Sequence, residues 1–101
     1  MNGDVLRQKV LVTNPQGFHL RPIAAFAELA QRFRSRVTVA KNGRVVDGKS
    51  ALELMLLAAL QGEELVIEAS GPDAEQAVDA LTELLNRPPE DAPEAVSPPT
   101  G

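Results

Sequence analysis

Among its 101 residues the chain has no cysteine, no tryptophan and no tyrosine, and it has a single histidine. Without cysteine there is neither a disulfide framework nor a thiolate metal site, which fits a reducing compartment. One imidazole with no thiol beside it leaves no metal site to expect. Three phenylalanines are the whole aromatic complement, too few to stack on bases, so nucleic acid is not an expected partner. Long apolar runs are also missing. The longest, Leu54 to Leu60, is too short to cross a bilayer, and the opening "MNGDVLRQKV" lacks the apolar core of a signal peptide. No membrane insertion is expected, and the expected location is cytoplasmic. About 100 residues make one small domain with a modest core.

Acid is scarce in the first half and base in the second. Residues 1–49 carry nine Lys/Arg against Asp4, Glu28 and Asp47, a charge of +6, whereas residues 50–101 carry Arg87 against eleven acids, −10; the chain as a whole stands at −4. The first half reads as an anion-handling face.

Periodicity sets out the elements. "VLRQKVLVT", Val5 to Thr13, is β-rich and reads as a strand, followed by a turn at "NPQG". Ile23, Phe26, Ala27, Ala30 and Phe33 recur at helical spacing, with Arg32, Arg34 and Arg36 at the helix exit. In "RVTVAKNGRVVDG" the pair Asn42-Gly43 suits a type I′ hairpin between two strands. "KSALELMLLAALQG" reads as a second helix ending at Gly62, "EELVIEAS" as a fourth strand, and "GPDAEQAVDALTELLNR" as a third helix. The third helix opens with Pro72 and the acids Asp73 and Glu75, and presents a stripe of Ala74, Ala77, Val78, Leu81, Leu84 and Leu85. Residues 1–87 form the expected domain. Residues 88–101, with five prolines and three acids, form an expected disordered acidic tail. The order β-α-β-β-α-β-α suits a two-layer α+β domain, an antiparallel sheet with all helices on one side.

Proline tolerates a helix only in its first turn, so Pro22 puts His19 at or just before a helix start. A helix N-terminus offers unpaired N–H groups and partial positive charge, a ready anion site. Arg21 adds a permanent cation whose planar fork suits phosphate oxygens. Together these residues read as an acceptor site for a phosphoryl group on nitrogen.

The string "GFHLRPIAAFAELAQRF" resembles the active-site segment of the HPr family, the histidine-containing phosphocarriers of the bacterial phosphoenolpyruvate-dependent phosphotransferase system, whose pattern is Gly-Leu/Ile-His-Ala/Thr-Arg-Pro-Ala. Element order and the downstream "GKSALELMLLAAL" extend the likeness over Val5 to Asn86. The resemblance implies an open-faced two-layer sandwich with strand order 1-4-2-3. It further implies that His19 takes a phosphoryl group on Nδ1 from phosphorylated Enzyme I and passes it to an Enzyme IIA domain of a sugar permease. Arg21 would stabilise the phosphate and Pro22 fix the helix start. Such a chain is a monomeric carried substrate rather than an enzyme, and needs no cofactor. Leu20 departs from the small residue usual in the motif, which bears on partner choice.

Ser50 has two compatible readings. "SALE" is a capping box, in which the Ser50 hydroxyl bonds the Glu53 N–H and the Glu53 side chain reaches back. By resemblance, Ser50 aligns with the serine that HPr kinase/phosphorylase modifies, and Gly48 and Lys49 precede it as in the family. In the second helix, Leu52, Met55, Leu56 and Ala59 form an expected core face, which leaves Leu54 and Leu57 for neighbouring packing or for an exposed docking patch. The resemblance implies that partners bind across Leu20, Arg21, Ala24, Lys49, Ala51, Leu52 and Met55, with the starts of the first and second helices adjoining. The alternatives are a regulatory protein of a truncated or nitrogen-type phosphotransferase chain, and a binding module without phosphotransfer.

Overall fold

A computed structural model describes residues 5–87. The expected tail, residues 88–101, lies outside the described residues. The elements follow the expected order: β1 (Leu6–Leu11), α1 (Leu20–Ala30), β2 (Arg36–Lys41), β3 (Arg44–Asp47), α2 (Ala51–Met55), β4 (Glu64–Ser70) and α3 (Ala74–Asn86). The four strands form one antiparallel sheet in the order β1-β4-β2-β3.

Alternation along the strands decides which face is covered. In β4, Leu65, Ile67 and Ala69 are buried while Glu64, Val66, Glu68 and Ser70 stay at least partly exposed. Across the register Ala69 opposes Val37, Ile67 opposes Val39, and Leu65 opposes Val10, so these side chains share one face and meet the helices. The other face is open, and there Arg7 Nε donates to Glu68 Oε2 at 2.6 Å. The hairpin turn is as the sequence indicates: Asn42 and Gly43 both have positive φ, 51° and 85°.

The stripe of α1 turns inward through Ile23, Phe26, Ala27 and Ala30, and that of α3 through Ala74, Ala77, Val78 and Leu81. Phe33, Leu84 and Leu85 pack at the edge of the same core. Phe26, Leu54, Leu65, Ile67 and Leu81 are fully buried, each stabilising the fold by about 1.5–3 kcal/mol. Pro72 precedes α3 rather than opening it. The Asp73 side chain does not cap α3 but reaches across to the start of β2. Its Oδ1 accepts from the Ser35 N–H and hydroxyl, its Oδ2 accepts from the Arg34 N–H, and the Asp73 N–H donates to Ser35 Oγ. The Ser35 hydroxyl first, then the Arg34 N–H, hold the carboxyl down to about 2. This clamp joins the start of β2 to the start of α3.

The second helix differs from expectation in length and in phase. The α-helix ends at Met55, Leu56 and Leu57 form a turn, and Ala58 adopts a left-handed φ of 49°. Tertiary donors claim the carbonyls that a longer helix would use: Arg44 Nη1 donates to the Leu56 carbonyl at 3.1 Å, Lys41 Nζ to that of Ala58 at 3.2 Å, and the Phe18 N–H to that of Ala59 at 2.9 Å. The inward face is Ala51, Leu54 and Leu57, spaced by three; Leu54 and Leu57 are 0% and 2% exposed. Leu52, Met55 and Leu56, expected in the core, face outward, Leu52 being 76% exposed. Of that expected face only Ala59 is buried, in the loop beyond the helix.

Candidate functional site

The segment leading into α1 is held from several sides. Asn14 Oδ1 accepts the Gln16 N–H, and the Asn14 carbonyl accepts the Gly17 N–H at 2.8 Å, closing the turn. Gly17 has φ +75°, and a Cβ there would lie 2.6 Å from the Ala59 carbonyl oxygen. Only glycine fits both the conformation and the space. Phe18 follows with its ring in the core, edge to face with Phe26 at 5.9 Å.

His19 comes next, as the N-cap of α1 in extended conformation, with its carbonyl accepting the Ile23 N–H. Its imidazole makes no capping hydrogen bond and is half-buried. Pro22 sits in the first turn and has no N–H, so the donors at this helix end are the N–H groups of Leu20 and Arg21. His19, Arg21 and Pro22 line one cleft of about 470 Å³, walled on its other sides by the end of β1 and by Leu84, Leu85 and Arg87 at the end of α3. His19 and Arg21 thus share one solvent-accessible opening at a helix N-terminus, which suits a tetrahedral anion on the imidazole nitrogen.

A family model described as the PTS HPr component phosphorylation site matches residues 6–87. The chain belongs to the HPr family. The phosphocarrier protein HPr of Neisseria meningitidis serogroup A is 40% identical over 82 residues, 81% of this chain and 92% of that protein. The HPr crystal structure from Bacillus anthracis superposes with a TM-score of 0.75 at 34% identity, covering 79% of this chain and 95% of that one. The solution structure of Crh, the catabolite repression HPr of Bacillus subtilis, gives a TM-score of 0.60 at 38% identity over 79% and 95% of the two chains. HPr proteins are phosphocarriers, and this chain has their strand order and helix arrangement.

The docking residues implied by HPr resemblance divide by exposure. Leu20 is 62% exposed, and Ala24, Leu52 and Met55 are exposed with it. Ala51 is half-buried against the core, and Lys49 reaches inward so that its Nζ donates to the Phe33 carbonyl at 2.8 Å. Leu56 and Leu60, which the sequence pattern does not assign to docking, are exposed too.

The placement of Ser50 needs correction. Gln31 Nε2 donates to the Lys49 carbonyl, and Lys49 Nζ to that of Phe33. The start of α2 therefore adjoins the exit of α1, and it is the loop after α2, through Ala59, that adjoins the start of α1. Eleven residues of α1 rise about 16 Å. The capping box is half formed: Ser50 Oγ accepts the Glu53 N–H at 3.1 Å, but Glu53 Oε1 accepts the Asp47 N–H, and the Ser50 N–H goes to the Asp47 carbonyl.

Sequence reasoning missed the loop that supports Gly17 and Phe18. Glu63 Oε1 accepts both the Leu60 N–H at 2.8 Å and Lys41 Nζ at 3.1 Å. Those two donors, the Leu60 N–H first, hold the Glu63 carboxyl below the usual glutamate range. No local pattern gives notice of this, because Lys41 and Glu63 are 22 residues apart and read separately as a hairpin charge and a strand-end charge.

Among the described residues no helix is long and apolar enough to cross a membrane.

Proposed function

We propose that His19 is the phosphoryl acceptor of this HPr protein, taking the group on Nδ1 from phosphorylated Enzyme I and handing it to an Enzyme IIA domain of a sugar permease. In the first transfer the Nδ1 lone pair forms a new N–P bond as the donor's bond to phosphorus breaks; the second transfer reverses the chain's part. Arg21 neutralises the phosphate once it is attached, and Pro22 keeps the helix start in place. The chain turns over no small molecule and needs no cofactor, serving as a macromolecular substrate. The observation that carries this reading is the position of His19: an N-cap imidazole spared from capping, opening on the same cleft as Arg21.

Partners dock on the exposed apolar residues Leu20, Leu52 and Met55. Ser50 is the site at which HPr kinase/phosphorylase tunes that docking. Likeness to the catabolite repression HPr of Bacillus subtilis favours a second reading, in which the chain serves regulation rather than sugar uptake.

The test is incubation with Enzyme I and phosphoenolpyruvate. Wild type takes up one acid-labile, alkali-stable label and His19→Ala takes up none; equal labelling of the two would falsify the assignment.

A further inference from the structure

We propose that Lys41 and Glu63 are positioning residues for phosphoryl transfer: they lock the turn at residues 58–60, whose Ala59 carbonyl holds the backbone that leads into His19. The inference rests on the reading of His19 as the acceptor.

The geometry forms a continuous chain. Ala58 has a left-handed φ of 49°, a conformation that alanine does not keep by its own propensity. Lys41 Nζ reaches the Ala58 carbonyl at 3.2 Å from one side. The same ammonium meets Glu63 Oε1 at 3.1 Å, and that oxygen takes the Leu60 N–H at 2.8 Å from the other side. The residue between them, Ala59, is buried and accepts the Phe18 N–H at 2.9 Å. No slack remains at this contact, because the space beside Gly17 is filled by the Ala59 carbonyl itself. A displacement of Ala59 is therefore passed to Gly17 and Phe18, and on to the next residue, His19.

Two features confine the effect to this turn. Arg44 Nη1 holds the Leu56 carbonyl, anchoring the start of the loop separately. Glu63 is tied through its backbone to the residue that follows β1, its carbonyl accepting the Val12 N–H at 2.9 Å, so loss of its side-chain charge does not release that segment. Neither Lys41 nor Glu63 lines the cleft. Their influence on the site runs through Ala59.

The experiment uses the full chain with Enzyme I and phosphoenolpyruvate, comparing wild type, Lys41→Met, Lys41→Arg, Glu63→Gln and His19→Ala. Readouts are kcat and KM with this chain as the varied substrate, the Phe18 amide and His19 ring nitrogen shifts by NMR, and a melting curve. Lys41→Met should remain folded, move the Phe18 and His19 signals, and lower kcat about tenfold at unchanged KM, since small misplacements at a reacting centre are costly. Lys41→Arg should recover most of that loss. Glu63→Gln keeps an acceptor for the Leu60 N–H and should show the same signature at about two- to threefold; it carries the test if Lys41→Met does not fold. Wild-type kcat in a folded Lys41→Met or Glu63→Gln protein overturns the proposal, as does a rise in KM alone, which would assign the pair to docking. Labelling of His19→Ala overturns the underlying reading instead, so the two failures are separable.

Discussion

Replacing Gly17 by alanine combines two costs that a second glycine in the same chain separates. Gly17 and Gly43 both have positive φ, +75° and +85°, but a Cβ on Gly17 would sit 2.6 Å from the Ala59 carbonyl oxygen, whereas one on Gly43 meets nothing within 4 Å. The conformational cost of a left-handed alanine, about 1 kcal/mol, applies to both. At Gly17 the backbone must also move away from Ala59, and the Phe18 N–H to Ala59 carbonyl bond, 2.9 Å long, stretches or breaks. Losing such a bond at a buried site costs a further ~0.5–1.5 kcal/mol, and loosened packing of Phe18 adds to it. Gly17→Ala should therefore destabilise by about 2–3 kcal/mol and Gly43→Ala by about 1 kcal/mol. For a domain of this size each kcal/mol lowers Tm by about 4–8 °C, giving a fall of about 10–20 °C for Gly17→Ala and about 4–8 °C for Gly43→Ala. Thermal melts of the two variants under identical conditions check the difference. Equal falls in Tm would refute the claim that Ala59 closes the space beside Gly17.

Leu54→Ala should cost about 2–5 kcal/mol, as for other large-to-small changes in a core, and Leu52→Ala should stay within about 0.5 kcal/mol; denaturant titrations giving the reverse order would restore the helix face expected from periodicity. The Asp73 carboxylate is held at about 2 in the folded chain against an ordinary 3.8. A lowered folded pKa means its stabilisation is complete above the unfolded value and is lost as pH falls from 3.8 through about 2. Asp73→Asn, which must turn its amide N–H toward the donor groups of Arg34 or Ser35, should be less stable at neutral pH and lose less than wild type over that acid range; parallel Tm-against-pH curves would count against the clamp. Ser50→Asp keeps a favourable N-cap residue, so its Tm should match wild type. Its effect on transfer from Enzyme I should be about two- to threefold at low ionic strength and vanish with added salt, because the charge sits at the solvent-accessible start of α2 beside Leu52, where salt screens it from an approaching partner over a Debye length of about 8 Å at physiological ionic strength. A wild-type rate at low salt would leave Ser50 as a helix cap alone.

Much of this protein is written in local sequence. Pro22 fixes where α1 can begin and so places His19 at its N-cap; Asn42-Gly43 fixes the hairpin; the three-and-four spacing of Ile23, Phe26, Ala27 and Ala30 fixes the buried side of α1. These are properties of φ, ψ and periodicity within a few residues, and they hold whatever lies across the fold. The order β1-β4-β2-β3 came from likeness to a family, since alternation along a strand does not say which strand lies beside it. The second helix is where local reasoning failed. "ALELMLLAAL" is apolar at almost every phase, so periodicity could not choose between Leu52-Met55-Leu56 and Ala51-Leu54-Leu57, and nothing within the segment stops the helix at Met55. Only the folded chain decides, because Lys41, Arg44 and the Phe18 N–H arrive from elsewhere and take the carbonyls of Ala58, Leu56 and Ala59. The Phe18–Ala59 bond also brings the loop after α2, rather than its start, beside the residues that lead into His19. Hydrogen bonds between residues distant in sequence leave no periodic trace, and so the support of the His19 segment was settled by tertiary structure, although His19, Arg21 and Pro22 stand together within six residues of sequence.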